Sequence, residues 1–315
     1  MLKAMKATMN ELISSDFFKD LENGILSSLT AKVRADDTLM LAFRRNSINI
    51  YYRGGSILRL SCENKPRSYA AHFDQNYAKS SPNDLPDLPP VITDKAHCEA
   101  WLRAMPTLKE IMNGFFATHT KSEREFQQLV AWENNRSGIS NETEYFITDV
   151  EHADVKQRAR IDMLGLKWLS EKRKVGLCTP VFIEMKYGIG AYDGAAGIAK
   201  HVRDLNDILS TVEARDQFNQ IIANQFNKLS RLGLVHFNKS KAVDQVEVLG
   251  TPEVIFLLSN HNPRSRTLLN TLASIEESPH FQLRFFAASF AGYGMHESCM
   301  MNLEDFKGRV ASYLK

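Results

Sequence analysis

Two apolar stretches, residues 159–168 and 178–187, constrain this chain more than any other feature. Both are short and rich in aliphatic side chains, and a charged turn at residues 171–174 separates them, so they read as consecutive antiparallel strands. Charges are set into these strands. Asp162 lies between Ile161 and Met163, and Glu184 and Lys186 lie among Val181, Phe182, Ile183 and Met185. Because side chains alternate along a strand, Glu184 and Lys186 project from one face, where Asp162 on the neighbouring strand can meet them across the pair. Two carboxylates and an amine are expected to converge.

The rhythm around these strands is that of an α/β chain. Ser122 and Glu125 have capping-box spacing, and Phe126, Leu129 and Val130 give the apolar face of a helix running to about residue 134. A strand candidate at 145–150 precedes the two central ones. After them, Ile198, Val202, Leu205 and Leu209 mark one helix, and Phe218, Ile222, Phe226 and Leu229 a second. A compact apolar run at 253–258, a helix at 265–275 and an alternating strand at 281–286 follow. This order predicts a mixed central β-sheet flanked by helices over residues 119–315.

Residues 1–118 have another character and are expected to form a smaller α+β domain. One amphipathic helix is predicted over 16–33, and a meander over 39–44, 48–52 and 57–62, with turn signals at Arg45-Asn46 and Gly54-Gly55. A strand at 69–73 leads into a proline-rich loop at 80–90. Helical spacing resumes over 96–116, where Pro106 is expected to kink or split the helix.

Composition narrows the class. With 43% hydrophobic and 24% charged residues, the 315-residue chain can bury a sizeable core and lies far from the signature of disorder. A formal charge of +2 leaves any nucleic-acid footprint to a local patch. Cys62, Cys98, Cys178 and Cys299 form no CxxC pair, which argues against a zinc ribbon or a disulfide framework and suits a reducing cytoplasm. Lys3 and Lys6 precede no signal-peptide core, because Asn10, Glu11 and Ser14 interrupt the apolar residues, and no membrane association is expected.

The convergent cluster suits phosphodiester hydrolysis. Magnesium takes hard oxygen ligands and is commonly held by one or two carboxylates plus water and substrate phosphate, so Asp162 and Glu184 can seat it, with manganese able to substitute. Such a metal polarises the phosphate, activates water and steadies the leaving oxygen. Lys186 would orient or deprotonate the attacking water and add positive charge in the transition state.

In these residues the chain resembles the PD-(D/E)xK nucleases, which include restriction endonucleases, repair nucleases and anti-phage effectors. The resemblance spans roughly residues 119–290 and rests on Asp162, on Glu184-Met185-Lys186 one strand later, and on the helices before and after them. It implies a restriction-endonuclease-like core, metal ligation by Asp162, Glu184 and the backbone carbonyl of Met185, and a catalytic Lys186. It also implies a glutamate from the first helix: Glu123 is favoured over Glu125 and Glu133. Ala159 and Arg160 stand where a proline often precedes the aspartate. Where some members place a glutamine and a tyrosine on the helix after the lysine, this chain has Lys200, His201 and Arg203. These are expected to contact nucleic-acid phosphates, with Arg158, Arg160 and Lys167 extending the patch. The implied activity is that of a DNA-directed endonuclease in prokaryotic defence or repair. RNA-directed cleavage and a non-catalytic nucleic-acid or protein-binding module are the alternatives. A homodimer would provide two sites for the two strands of a duplex.

Overall fold

The turn residues between the first strand candidates close consecutive hairpins. The computed structural model describes residues 12–63, 67–80, 83–154, 159–188, 192–238, 243–262, 264–288 and 294–312. In it, β1 (Leu39–Arg44), β2 (Ser47–Tyr52), β3 (Gly55–Cys62), β4 (Tyr69–His72) and β5 (Val91–Ile92) pair antiparallel in sequence order. Arg53 and Gly54 take positive φ, 51° and 72°, as a two-residue type I′ turn requires. A Cβ on Gly54 would also lie 2.5 Å from the backbone of Arg124. Arg53 tolerates the left-handed region because its guanidinium is held by Glu125 at 2.8 Å and by Asn113 at 2.9 Å.

The chain divides into two compact units, the first comprising residues 1–128 and 228–234, the second residues 129–227 and 235–315. The division falls inside a helix and not at residue 118, and side chains explain why. In α4 (Ser122–Asn135), Gln128 of the first unit accepts the Gly54 N–H at 2.8 Å and donates to the Thr38 carbonyl at 2.7 Å. Asn135 of the second unit exchanges hydrogen bonds with the Ile147 backbone at 2.7 and 2.9 Å.

Two expectations for the first unit need revision. The predicted opening helix is two, α1 (Ser15–Glu22) and α2 (Ser27–Ala35). Asn23 caps α1, and Gly24 passes so near Asp20 that a Cβ there would lie 2.6 Å from the Asp20 Cα. Conversely, α3 (Lys95–Thr118) runs unbroken through Pro106. That proline is on the exposed face, where water can reach the carbonyl it leaves unmatched. Trp101, Met105, Leu108 and Met112 form the buried stripe of α3.

The second unit holds a mixed sheet whose strands lie in the order 282–287, 253–259, 177–187, 159–167 and 145–154. β6 (Tyr145–Asp154), β7 (Ala159–Lys167) and β8 (Leu177–Tyr187) are antiparallel, whereas β8, β10 (Glu253–Ser259) and β11 (Gln282–Ala287) are parallel. A short β9 (Glu247–Val248) pairs parallel with the start of β8. Parallel neighbours need crossovers. The one from β8 to β10 contains α5 (Ile198–Leu209) and α6 (Val212–Arg231), and the one from β10 to β11 contains α7 (Arg266–Ala273). Every residue of β10 is buried, the mark of a strand covered on both faces. Phe182 and Phe146 of the sheet meet Phe218 and Phe226 of α6 edge-on at 5.1 and 5.6 Å. A last helix, α8 (Leu303–Ser312), stacks Phe306 on Phe285 of β11 at 5.0 Å. Neither α8 nor β9 was expected from the sequence. Among the described residues no helix is long and apolar enough to cross a membrane, and the four cysteines are free thiols.

Asp36, at the end of α2, anchors the first unit electrostatically. Its carboxylate accepts from Lys109 at 2.7 Å and from the Thr38 hydroxyl at 2.6 Å, with Lys32 at 3.0 Å. Burial alone would raise its pKa, but these donors outweigh that effect and hold it well below the usual carboxylate value of 3.8. Because the folded value is depressed, the stabilisation is complete above the unfolded value and is lost as pH falls towards the folded one. Asp36→Asn is therefore expected to cost about 1.5–3 kcal/mol in urea unfolding at pH 7. The gap from wild type should narrow below pH 3.8; a gap independent of pH would contradict the assignment.

Candidate functional site

The centre of the second sheet carries its charges where alternation predicts. Along β8, Val181, Ile183 and Met185 turn to one face and Phe182, Glu184 and Lys186 to the other. Glu184 is 1% exposed and Lys186 4%. Burying them costs desolvation energy that only close, well-made contacts can offset. Their mutual contact is loose, with Lys186 Nζ 3.6 Å from Glu184 Oε2.

Asp162 enters from β7. The antiparallel ladder ends at Met163 opposite Ile183, and one further step in that register sets Asp162 opposite Glu184. There the Asp162 side chain takes over as acceptor: its Oδ2 receives the Met185 N–H at 2.9 Å. One carboxylate oxygen is thus anchored to the backbone between Glu184 and Lys186. Met185, whose carbonyl the resemblance makes a ligand, lies on the same stretch of β8 with its side chain fully buried.

A fourth group joins them that the sequence reading placed elsewhere. His201, in the first turns of α5, brings Nδ1 to 2.8 Å from Glu184 Oε2. The N–H is not aligned with the oxygen, and neither Glu184 oxygen has an aligned hydrogen bond among the described residues. A buried carboxylate in that condition invites a further electropositive partner. The described residues contain no group of three His, Cys, Asp or Glu side chains arranged to cage a cation by themselves.

Glu123 and Glu125 belong to the first unit, where Glu125 is engaged by Arg53. Glu133 lies on the part of α4 in the second unit, and its backbone carbonyl accepts from the Ser137 hydroxyl at 2.8 Å. Of the expected phosphate contacts, Arg160 pairs with Glu151 at 2.6 Å and Lys200 with Asp204. Arg203 lines a cavity of about 550 Å³ in the company of Asp207, Glu276 and Glu277, an acidic setting that does not favour phosphate. Lys167 is withdrawn from any such patch: its ammonium lies between Glu253 at 2.9 Å and Glu297 at 2.6 Å, beneath the Tyr145 hydroxyl's own bonds to both. Burial opposes the charge on Lys167, yet the two carboxylates raise its pKa overall. Arg158 lies outside the described residues.

A second buried network escaped the sequence reading. Asp149 accepts from His152 Nδ1 at 2.8 Å and from Gln225 at 3.0 Å, and Thr148 fixes the Gln225 amide at 2.9 Å. His152 pairs across β6 and β7 with Ile161, the neighbour of Asp162. The strand bulges between Ile147 and Asp149, which breaks the alternation that would have revealed the group.

Compared with protein-family models, with curated proteins and with solved structures, the chain matches none. The site therefore stands on its own geometry. If the Asp162 to Met185 contact anchors the strand pair, Asp162→Ala will lose about 1–3 kcal/mol of stability, while Asp162→Asn, which keeps an acceptor oxygen, will stay within about 1 kcal/mol of wild type. Chemical denaturation of the two variants reads this directly, and equal losses would show that the contact contributes nothing specific.

Proposed function

We propose that this chain is a magnesium-dependent nuclease of the PD-(D/E)xK type, with a restriction-endonuclease-like core, hydrolysing phosphodiester bonds in DNA as an endonuclease. The observation that carries the reading is Glu184: 1% exposed, set in an apolar strand beside Lys186, and without an aligned hydrogen bond on either oxygen. A buried ion pair kept for stability needs its lone pairs satisfied. Here they point to a partner supplied from outside the chain.

The donor set fits magnesium. Asp162, Glu184 and the Met185 carbonyl are hard oxygen donors, the kind magnesium takes together with waters and substrate phosphate. When bound, such an ion supplies positive charge to the scissile phosphate and activates water. The chain's own groups do the rest. Lys186 holds an ammonium in a low-dielectric strand, where its field on developing phosphoryl charge is strong. Asp162, anchored through the Met185 N–H, keeps its carboxylate in register with Glu184. The mixed sheet, with helices in its crossovers, agrees with the element order of that nuclease core. DNA is preferred as substrate on the strength of the resemblance.

The test is cleavage of supercoiled plasmid, linear duplex, single-stranded DNA and RNA, with magnesium or manganese and with chelator. Wild type should cut DNA only with metal, and Asp162→Asn and Lys186→Ala should each lose about 10²–10⁴-fold in rate. Cutting that survives both substitutions would remove the site assignment. A wild type that binds nucleic acid but cuts none of the panel would favour a non-catalytic binding module, and cleavage confined to RNA would reassign the substrate.

A further inference from the structure

Among the described residues, the basic side chain nearest to Glu184 is not on its own strand. Lys186 Nζ stands 3.6 Å from Oε2, beyond hydrogen-bond reach, whereas His201 Nδ1 stands at 2.8 Å. In the tautomer that carries its proton on Nδ1 the ring is a donor within reach of Oε2, and the contact is attractive. Nδ1 is therefore placed beside the carboxylate as its nearest side-chain donor, although the N–H is not aligned with Oε2.

The backbone decides that His201 arrives there. Gly197 caps α5 in so tight a loop that a Cβ would lie 2.6 Å from the Asp193 backbone, and the Ile198 N–H is tied to the Tyr192 carbonyl at 2.9 Å. The His201 N–H closes the first helical turn onto the Gly197 carbonyl at 3.1 Å. Ile198, Val202, Leu205 and Leu209 fill the buried stripe of the helix, which leaves His201 at its edge, 24% exposed along the side chain. Lys200 is committed to Asp204, and Arg203 is exposed, so among the described residues His201 is the basic side chain of α5 in contact with Glu184.

We propose that His201 is a positioning residue for Glu184. Its Nδ1–H engages Oε2 and sets the rotation of the carboxylate, so that the other oxygen is presented to the cation. The inference rests on the reading of the site as a cation-binding nuclease centre, and it assigns His201 to the carboxylate in place of the substrate phosphate. Partners one step removed from a metal typically contribute 10–100-fold to metal affinity.

Manganese binding to the full chain, measured by calorimetry or by the electron paramagnetic resonance of free Mn²⁺, tests this without reference to cleavage. His201→Ala should weaken binding by about 10–100-fold. His201→Asn places an amide N–H where Nδ1 stood and should restore affinity to within about threefold of wild type, whereas His201→Gln places its amide further out and should behave like the alanine variant. Should the alanine variant fail to fold, the asparagine and glutamine variants alone decide, since only a positioning role separates them. Glu184→Gln is the control: if it binds manganese as wild type does, the cation-site reading itself fails. If Glu184→Gln loses binding while His201→Ala and His201→Gln keep it, the site stands and the role of His201 is overturned.

Discussion

The burial of a carboxylate and an ammonium on the central strand of the second sheet is the constraint on which the rest of that unit turns. From Val181 to Lys186 every residue of β8 is buried. Water cannot solvate Glu184 and Lys186 there, and removing two charges from water costs several kcal/mol per ion. The strand is acceptable only if its neighbours deliver polar groups to defined points. β7 does so by ending its ladder one step early, so that Asp162 takes the Met185 N–H. α5 does so by starting at Gly197, which brings His201 against Glu184. His201 stands beside Oε2, yet neither Glu184 oxygen has an aligned hydrogen bond among the described residues, and that unmet polarity is the chemical content of the site.

The mixed topology makes this delivery possible. Antiparallel pairing of β7 with β8 needs only a short turn and places Asp162 opposite Glu184. Parallel pairing of β8 with β10 forces a long crossover, and that crossover carries the helix bearing His201. An all-antiparallel sheet would have no need of the helix, and an all-parallel one would not bring Asp162 back along the same edge in this register.

Charge elsewhere in the second unit is spent on holding elements together. Lys167 and Tyr145 bridge Glu253 and Glu297, joining β6, β7 and β10 to the segment at 297–299. Asp149, His152 and Gln225 fasten β6 to α6. Arg160 and Lys200 are each paired with an acid. A count of basic residues near the site in the sequence therefore overstates the positive surface available to a polyanion, because acidic partners, near in sequence for Arg160 and Lys200 and distant for Lys167, pair with them.

The elements were legible because their signals are local. Strands β1 to β3, β6 to β8 and β10, and helices α3 to α6, announce themselves through alternation, helical spacing and turn residues, all of which act over a few positions. The convergence of Glu184 and Lys186 was legible for the same reason, since two residues two apart on a strand must share a face. The break at Gly24 was missed and Pro106 was misread because their effect depends on what lies beside them: a close approach to Asp20 in one case, open solvent in the other. The partner of His201, the withdrawal of Lys167 and the Asp149 network were invisible to any local pattern. Sequence by itself determined the alternation that gathers Asp162, Glu184 and Lys186. Only the tertiary structure decided which of the many nearby charges reach them, because contacts between groups far apart in the chain are set by register, crossover and helix phase, which exist only once the sheet has formed.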